Sequence, residues 1–148
     1  MKQKLNCVLV IDDDEPTNFI TNMVLEESGC VNHVRTMQSG PEALDYILKS
    51  EAADDPGLYP SPNLVFLDIN MPAMDGWEFL AEYRKMKMQE RVIVVMLTTS
   101  LAPEDQQRAE ATPGISGFEN KPLTAEKINR IVEKYFALAT DEGNKKCA

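Results

Sequence analysis

The sequence has no excess of positive charge, no long apolar run and no paired set of cysteines, and each absence removes a class of protein. Its net charge is −9, whereas a surface that tracks nucleic-acid phosphates needs a basic face to gain from counterion release. Direct nucleic-acid binding is therefore excluded as the primary activity. Cys7, Cys30 and Cys147 form an odd set without short metal-type spacing, so neither a disulfide scaffold nor a zinc site is expected. A reducing, cytoplasmic setting fits that usage. No apolar run is long enough to span a bilayer. The N-terminal one, after Lys2 and Lys4, stops at acids rather than at a small-residue cleavage site, so it reads as a first strand and not as a secretion signal. Internal repeats, low-complexity tracts and interdomain linkers are also lacking.

What is present is one domain's worth of chain. At 148 residues it can bury about two thirds of its unfolded surface without staples. Apolar residues 5–11 predict a buried strand, broken only by Asn6. Pro16 suits the first turn of a helix, and Phe19, Ile20, Met23 and Val24 form its apolar stripe up to Ser28-Gly29. Residues 31–37 alternate as a weaker strand, and Ser39-Gly40-Pro41 restarts a helix whose face is Ala43, Leu44, Ile47 and Leu48. Residues 50–63, with Asp54-Asp55-Pro56-Gly57 and Pro60-Ser61-Pro62, read as a loop longer than such a domain needs.

Residues 64–67 are apolar in succession, as in a strand buried on both faces. A helix follows over 77–88, with Phe79, Leu80, Tyr83 and Met86 as its apolar positions, and then the β-branched strand 92–97. Residues 104–112 read as a short helix, 115–119 as a short strand, and a last helix from Thr124 buries Ile128, Ile131, Val132, Tyr135 and Phe136. The domain is expected over 1–140, with 141–148 a frayed tail and no output domain. Strands alternate with helices five times, which predicts an α/β fold with a parallel sheet, right-handed crossovers and helices on both faces.

Ligand sites in open parallel sheets lie beyond the carboxyl ends of the strands. Asp12 and Asp13 follow the first strand, Asp68 the third, Thr98 the fourth and Lys121 the fifth. Each has a plainer explanation alone: acids at a helix N-terminus, an acid or a hydroxyl ending a strand, a solvated lysine. The specific signal is their conjunction at one sheet edge. Three converging carboxylates repel one another, and a bound hard cation relieves them. Magnesium fits, with Asp13 and Asp68 as direct ligands and Asp12 acting through water. A lysine and a hydroxyl facing that cation complete a holder for a phosphoryl group, with Asp68 as nucleophile.

Val10-Ile11-Asp12-Asp13, the run Leu67-Asp68-Ile69-Asn70-Met71-Pro72-Ala73-Met74-Asp75-Gly76, Leu97-Thr98-Thr99 and Asn120-Lys121-Pro122 together resemble the receiver domains of two-component response regulators, of the stand-alone, chemotaxis-receiver type. The resemblance runs from about Leu5 to Phe136. It implies a flavodoxin-like (βα)5 three-layer sandwich with strand order 2-1-3-4-5, and an Asp68 that accepts a phosphoryl group from a histidine kinase or a histidine phosphotransfer protein. It further implies magnesium, or manganese in its place, held by Asp12, Asp13, Asp68 and the backbone carbonyl of Asn70. The phosphoryl group would be bound by Thr98, Thr99 and Lys121, with a cis bond between Lys121 and Pro122. Thr98 and Phe118 would form the switch that alters a surface built from the fourth helix, fifth strand and fifth helix for a downstream protein target. Asn70 and Ser100 would tune the phosphoryl lifetime. The protein would be a monomer or a phosphorylation-dependent dimer, would touch no membrane, and would catalyse only its own phosphorylation and dephosphorylation.

The sequence departs from that family's pattern in three places. Phe118 stands where many members carry tyrosine, the 50–63 loop exceeds the family's minimum, and Thr99 is larger than the residue often found there, which narrows access to Asp68. Two other readings compete. A haloacid dehalogenase-type phosphatase needs Asp-x-Asp-x-Thr after the first strand, and Asp12-Asp13-Asp14-Glu15-Pro16-Thr17 has no threonine at that spacing. A binding module that keeps the fold without using phosphate would not need the intact acids and lysine.

Overall fold

The computed structural model describes residues 5–52, 58–86, 92–99 and 102–136. Five strands alternate with five helices: β1 (Leu5–Ile11), α1 (Glu15–Ser28), β2 (Val31–Met37), α2 (Gly40–Ala52), β3 (Leu64–Leu67), α3 (Gly76–Tyr83), β4 (Ile93–Thr98), α4 (Pro103–Ala111), β5 (Gly117–Asn120) and α5 (Ala125–Phe136). All strand pairs are parallel, in the order β2-β1-β3-β4-β5. This is the flavodoxin-like order expected from the sequence. No helix among the described residues is long and apolar enough to cross a membrane.

Period-two alternation along the strands splits the core into two layers. Leu9, Ile11, Val65, Leu67, Val94 and Met96 face α2, α3 and α4, where they meet Ala43, Tyr46, Ile47, Phe79, Leu80, Tyr83 and Ala109. Val8, Val10, Leu64, Phe66, Val95 and Leu97 face α1 and α5 and pack on Leu25, Ile128, Ile131 and Val132. Each central strand therefore serves both layers, which is why its sequence is apolar without a break.

Two helix faces differ from the sequence expectation. On α1 the buried residues are Asn18, Thr21, Leu25 and Ser28, whereas Phe19 (64% exposed), Ile20 and Met23 face solvent. The spacing of the buried set is equally helical, but polar and small residues line it. On α2, Tyr46 and Ser50 are buried and Leu48 is exposed. Cys7 is a free, buried thiol.

The connections carry clear local signals. Asp14 caps α1 by accepting from the Thr17 amide at 3.1 Å, Pro16 sits in the first turn, and Gly29 ends the helix at φ 72°. Asp75 and Glu78 form a reciprocal capping box at the start of α3. α2 runs through Ala52, three residues into the expected loop; positions 53–57 of that loop, Ser100 and the tail from 137 lie outside the described residues. Asn63 ends the loop with its Oδ1 accepting from the backbone amides of Asn6 at 2.7 Å and Cys7 at 3.2 Å. The loop's described C-terminal part is thereby fixed at the amino edge of the sheet, opposite the strand exits.

Candidate functional site

The site is built by strand exits. β1 and β3 pair so that Ile11 lies beside Leu67, and the next residue on each is an acid. The Asp68 amide donates to the Ile11 carbonyl at 3.0 Å, and the Asp12 amide to the Met37 carbonyl at 3.0 Å. Both acids are thus set by sheet hydrogen bonds before their side chains make any contact. Thr98 ends β4, and its carbonyl accepts from the Lys121 amide at 2.8 Å, which brings the fifth-strand exit to the same edge.

Asp12 and Asp68 are buried, Asp13 is exposed, and carboxylate oxygens from the three lie within 4.8 Å of one another. The Lys121 ammonium donates to Asp12 Oδ2 and lies 3.6 Å from Asp68 Oδ2. Thr98 is fully buried beside them. The Lys121-Pro122 bond is cis, in agreement with the expectation. Thr99 and Asn70 are exposed at the rim. Phe118 is half-buried and packs against the α2/α3/α4 layer of the core.

Burial drives the Asp68 carboxyl up to about 6; Lys121 pulls it down, Asp12 and Asp13 push it further up, and the Asn70 amide donates a hydrogen bond that favours the charged form. A carboxylate in this position gains from a bound cation more than a solvated one does. Three acidic oxygen donors in one cluster fit a hard divalent ion such as magnesium, and the residues present match that group.

Two residues that matter for this geometry do not stand out in the sequence as such. Gly76 reads there as a turn residue, yet a Cβ on it would lie 2.6 Å from the Asp68 carbonyl oxygen and 3.0 Å from Ile69 Cα. The backbone of β3 and the start of α3 approach so closely that only glycine fits. Asn18 escapes the sequence reading altogether. It is buried in α1, and its Nδ2 donates to the Asp12 carbonyl at 2.7 Å. Its place in the helical series 18, 21, 25, 28 is the one signal that could have found it.

A doubly covered parallel sheet whose exits collect three acids, a hydroxyl and a lysine defines a receiver-type signalling domain. The family model for the response regulator receiver domain matches residues 8–133, and the chain belongs to that family. Its function is that of a two-component response regulator. The chain is 29% identical over 137 residues to the two-component response regulator ARR22 of Arabidopsis thaliana, covering 92% of this chain and 87% of that protein. It is also 31% identical over 134 residues to the hybrid signal transduction histidine kinase L of Dictyostelium discoideum, covering 88% of this chain and 7% of that much longer protein. Among solved structures, a two-component response regulator from Cytophaga hutchinsonii superposes with a TM-score of 0.82 at 31% identity, covering 91% of this chain and 99% of that one. The chemotaxis protein CheY4 of Vibrio cholerae gives 0.69 at 26%, covering 88% and 98%. Membership of the family implies interaction with histidine kinases or phosphotransfer proteins and with downstream targets.

Proposed function

We propose that Asp68 is the phosphoacceptor, and that it takes a phosphoryl group from a phosphohistidine donor with magnesium bound at Asp12, Asp13, Asp68 and the Asn70 carbonyl. The observation that carries this reading is the Asp12, Asp13 and Asp68 cluster with Lys121 set against it. One Asp68 oxygen attacks phosphorus, an O–P bond forms, and the P–N bond to the donor imidazole breaks, leaving an acyl phosphate. The Lys121 ammonium neutralises charge on the transferring oxygens, and the Thr98 hydroxyl binds one of them once the phosphoryl group is in place. Magnesium, when bound, supplies the remaining neutralisation that such a transfer needs. Hydrolysis of the acyl phosphate resets the domain, so the chain acts on itself and turns over no external substrate.

The proposed readout lies beside the site. Phe118, Ile115, Gln106, Lys127, Arg130 and Tyr135 line a groove of about 470 Å³ between α4, β5 and α5. Half-buried Phe118 lines this groove from β5, and the paired strand β4 ends at Thr98, so a shift of Thr98 toward a phosphoryl group would change what the groove presents. The test is incubation with acetyl phosphate and magnesium, followed by intact-mass measurement. A gain of one phosphoryl group is expected, absent after chelation and absent in Asp68→Asn. Persistent labelling of that variant would overturn the assignment.

A further inference from the structure

Asn18 carries an arrangement that folding alone does not explain. Its side chain is 4% exposed, and its Nδ2 is bonded to the Asp12 carbonyl. That partner fixes the orientation of the amide, because a carbonyl accepts only from the NH2 end. The other end, Oδ1, is buried and has no hydrogen-bond partner among the described residues. Buried polar atoms are nearly always paired, yet this amide pairs the Asp12 carbonyl while leaving its own acceptor unpaired.

The benefit of the arrangement falls on Asp13. Two peptide planes flank that residue, and both are pinned. The preceding plane is held through the Asp12 carbonyl by Asn18 at 2.7 Å, and the following plane through the Asp14 amide, which donates to Asp12 Oδ1 at 2.9 Å. Because peptide groups are planar, fixing both planes fixes φ and ψ of Asp13 and the direction in which its side chain leaves the backbone. Asp13 itself is exposed, so packing does not hold it.

We propose that Asn18 is a positioning residue of the cation site: by holding the Asp12 carbonyl it aims the Asp13 carboxylate at the cation position shared with Asp68. The inference rests on the magnesium-dependent reading of the site. It is tested on the full chain by calorimetric titration with magnesium chloride and by thermal unfolding in chelator, with Asn18→Leu and Asn18→Ala beside the wild type and Asp13→Asn. Loss of an outer hydrogen bond of this kind weakens metal affinity about 10- to 100-fold. Both Asn18 variants are expected to bind magnesium at least about tenfold more weakly, and Asn18→Leu to unfold in chelator close to the wild-type temperature, because the Asp12 carbonyl loses its donor while the unpaired Oδ1 is removed and an apolar side chain is buried in its place. In acetyl phosphate labelling, the deficit of both variants should narrow as magnesium is raised. Wild-type affinity in both folded variants would overturn the inference while leaving the site reading intact. No magnesium binding by the wild type, or unaltered binding in Asp13→Asn, would instead overturn the site reading and the inference with it.

Discussion

Lys121 Nζ lies 3.6 Å from Asp68 Oδ2 while bonded to Asp12 Oδ2, so one ammonium is divided between two buried carboxylates. Burial of Asp68, which this shared ammonium only partly offsets, raises its carboxyl from the ordinary 3.8 to about 6. The consequence for stability has a definite sign. Between those two values the folded state binds more protons than the unfolded one, so stability falls as pH rises through the window and the full deficit is present above it. A rise of that size corresponds to up to about 3 kcal/mol. In chelator, Asp68→Asn is predicted to unfold several degrees above the wild type at pH 7.5, with the advantage shrinking toward pH 4. An advantage equal at both pH values would show that burial of this charge is not its source.

Gly76 tests the close approach of β3 and α3. Alanine normally strengthens a helix relative to glycine by up to about 1 kcal/mol. Here the added Cβ meets the Asp68 carbonyl and Ile69 Cα, both backbone atoms that cannot swing aside. Gly76→Ala is predicted to lose about 1–3 kcal/mol in urea unfolding and to bind magnesium more weakly, since relief of the clash displaces Asp68. A stabilised variant would contradict so close an approach of the two segments.

The fold was legible because strand–helix alternation places every strand exit on one edge, and the site was legible because Asp12, Asp13, Asp68, Thr98 and Lys121 each follow a strand directly. What was not legible depends on contacts between segments distant in sequence. Hydrophobic spacing marks Phe19, Ile20 and Met23 as the inner stripe of α1. Yet Asn18 and Thr21 are inside, because the amide of Asn18 finds a carbonyl on the β1 exit that no local pattern announces. Gly76 similarly looks like a turn residue beside Asp75, and its steric role appears only when Asp68 is brought against it. The expected boundaries of β4, β5 and α4 differ from the observed ones by one or two residues, as helix and strand ends commonly do.

Arg108 and Trp77 join α4 to α3. The guanidinium carbon stands 4.2 Å from the Trp77 ring centroid, a cation–π geometry on the protein surface. α4 is otherwise lightly held: only Ala109 is buried, and its N-cap makes no side-chain hydrogen bond. Since Trp77 is the sole tryptophan, its emission reports this contact without labelling. Arg108→Ala is predicted to change tryptophan emission while lowering stability by less than about 1 kcal/mol. Emission identical to the wild type would mean that the contact is not populated in solution.

Asn63 provides the opposite test, at the amino edge of the sheet. Its Oδ1 accepts from the Asn6 and Cys7 amides, its own amide donates to the Cys7 carbonyl at 2.8 Å, and its carbonyl accepts from Ile93 at 3.0 Å. In Asn63→Ala the backbone bonds remain, but the two amides facing Oδ1 lose their acceptor. Asn6 is exposed and recovers a partner from water, whereas Cys7 is buried and does not. Leaving a buried donor unpaired costs about 1–3 kcal/mol, which urea unfolding should register in full. The strand exits lie at the far end of the sheet, so magnesium-dependent labelling of the folded variant by acetyl phosphate should match the wild type. Weaker labelling at equal folded fraction would mean that the two edges of the sheet are coupled, and that the loop before β3 helps to set the position of Asp68.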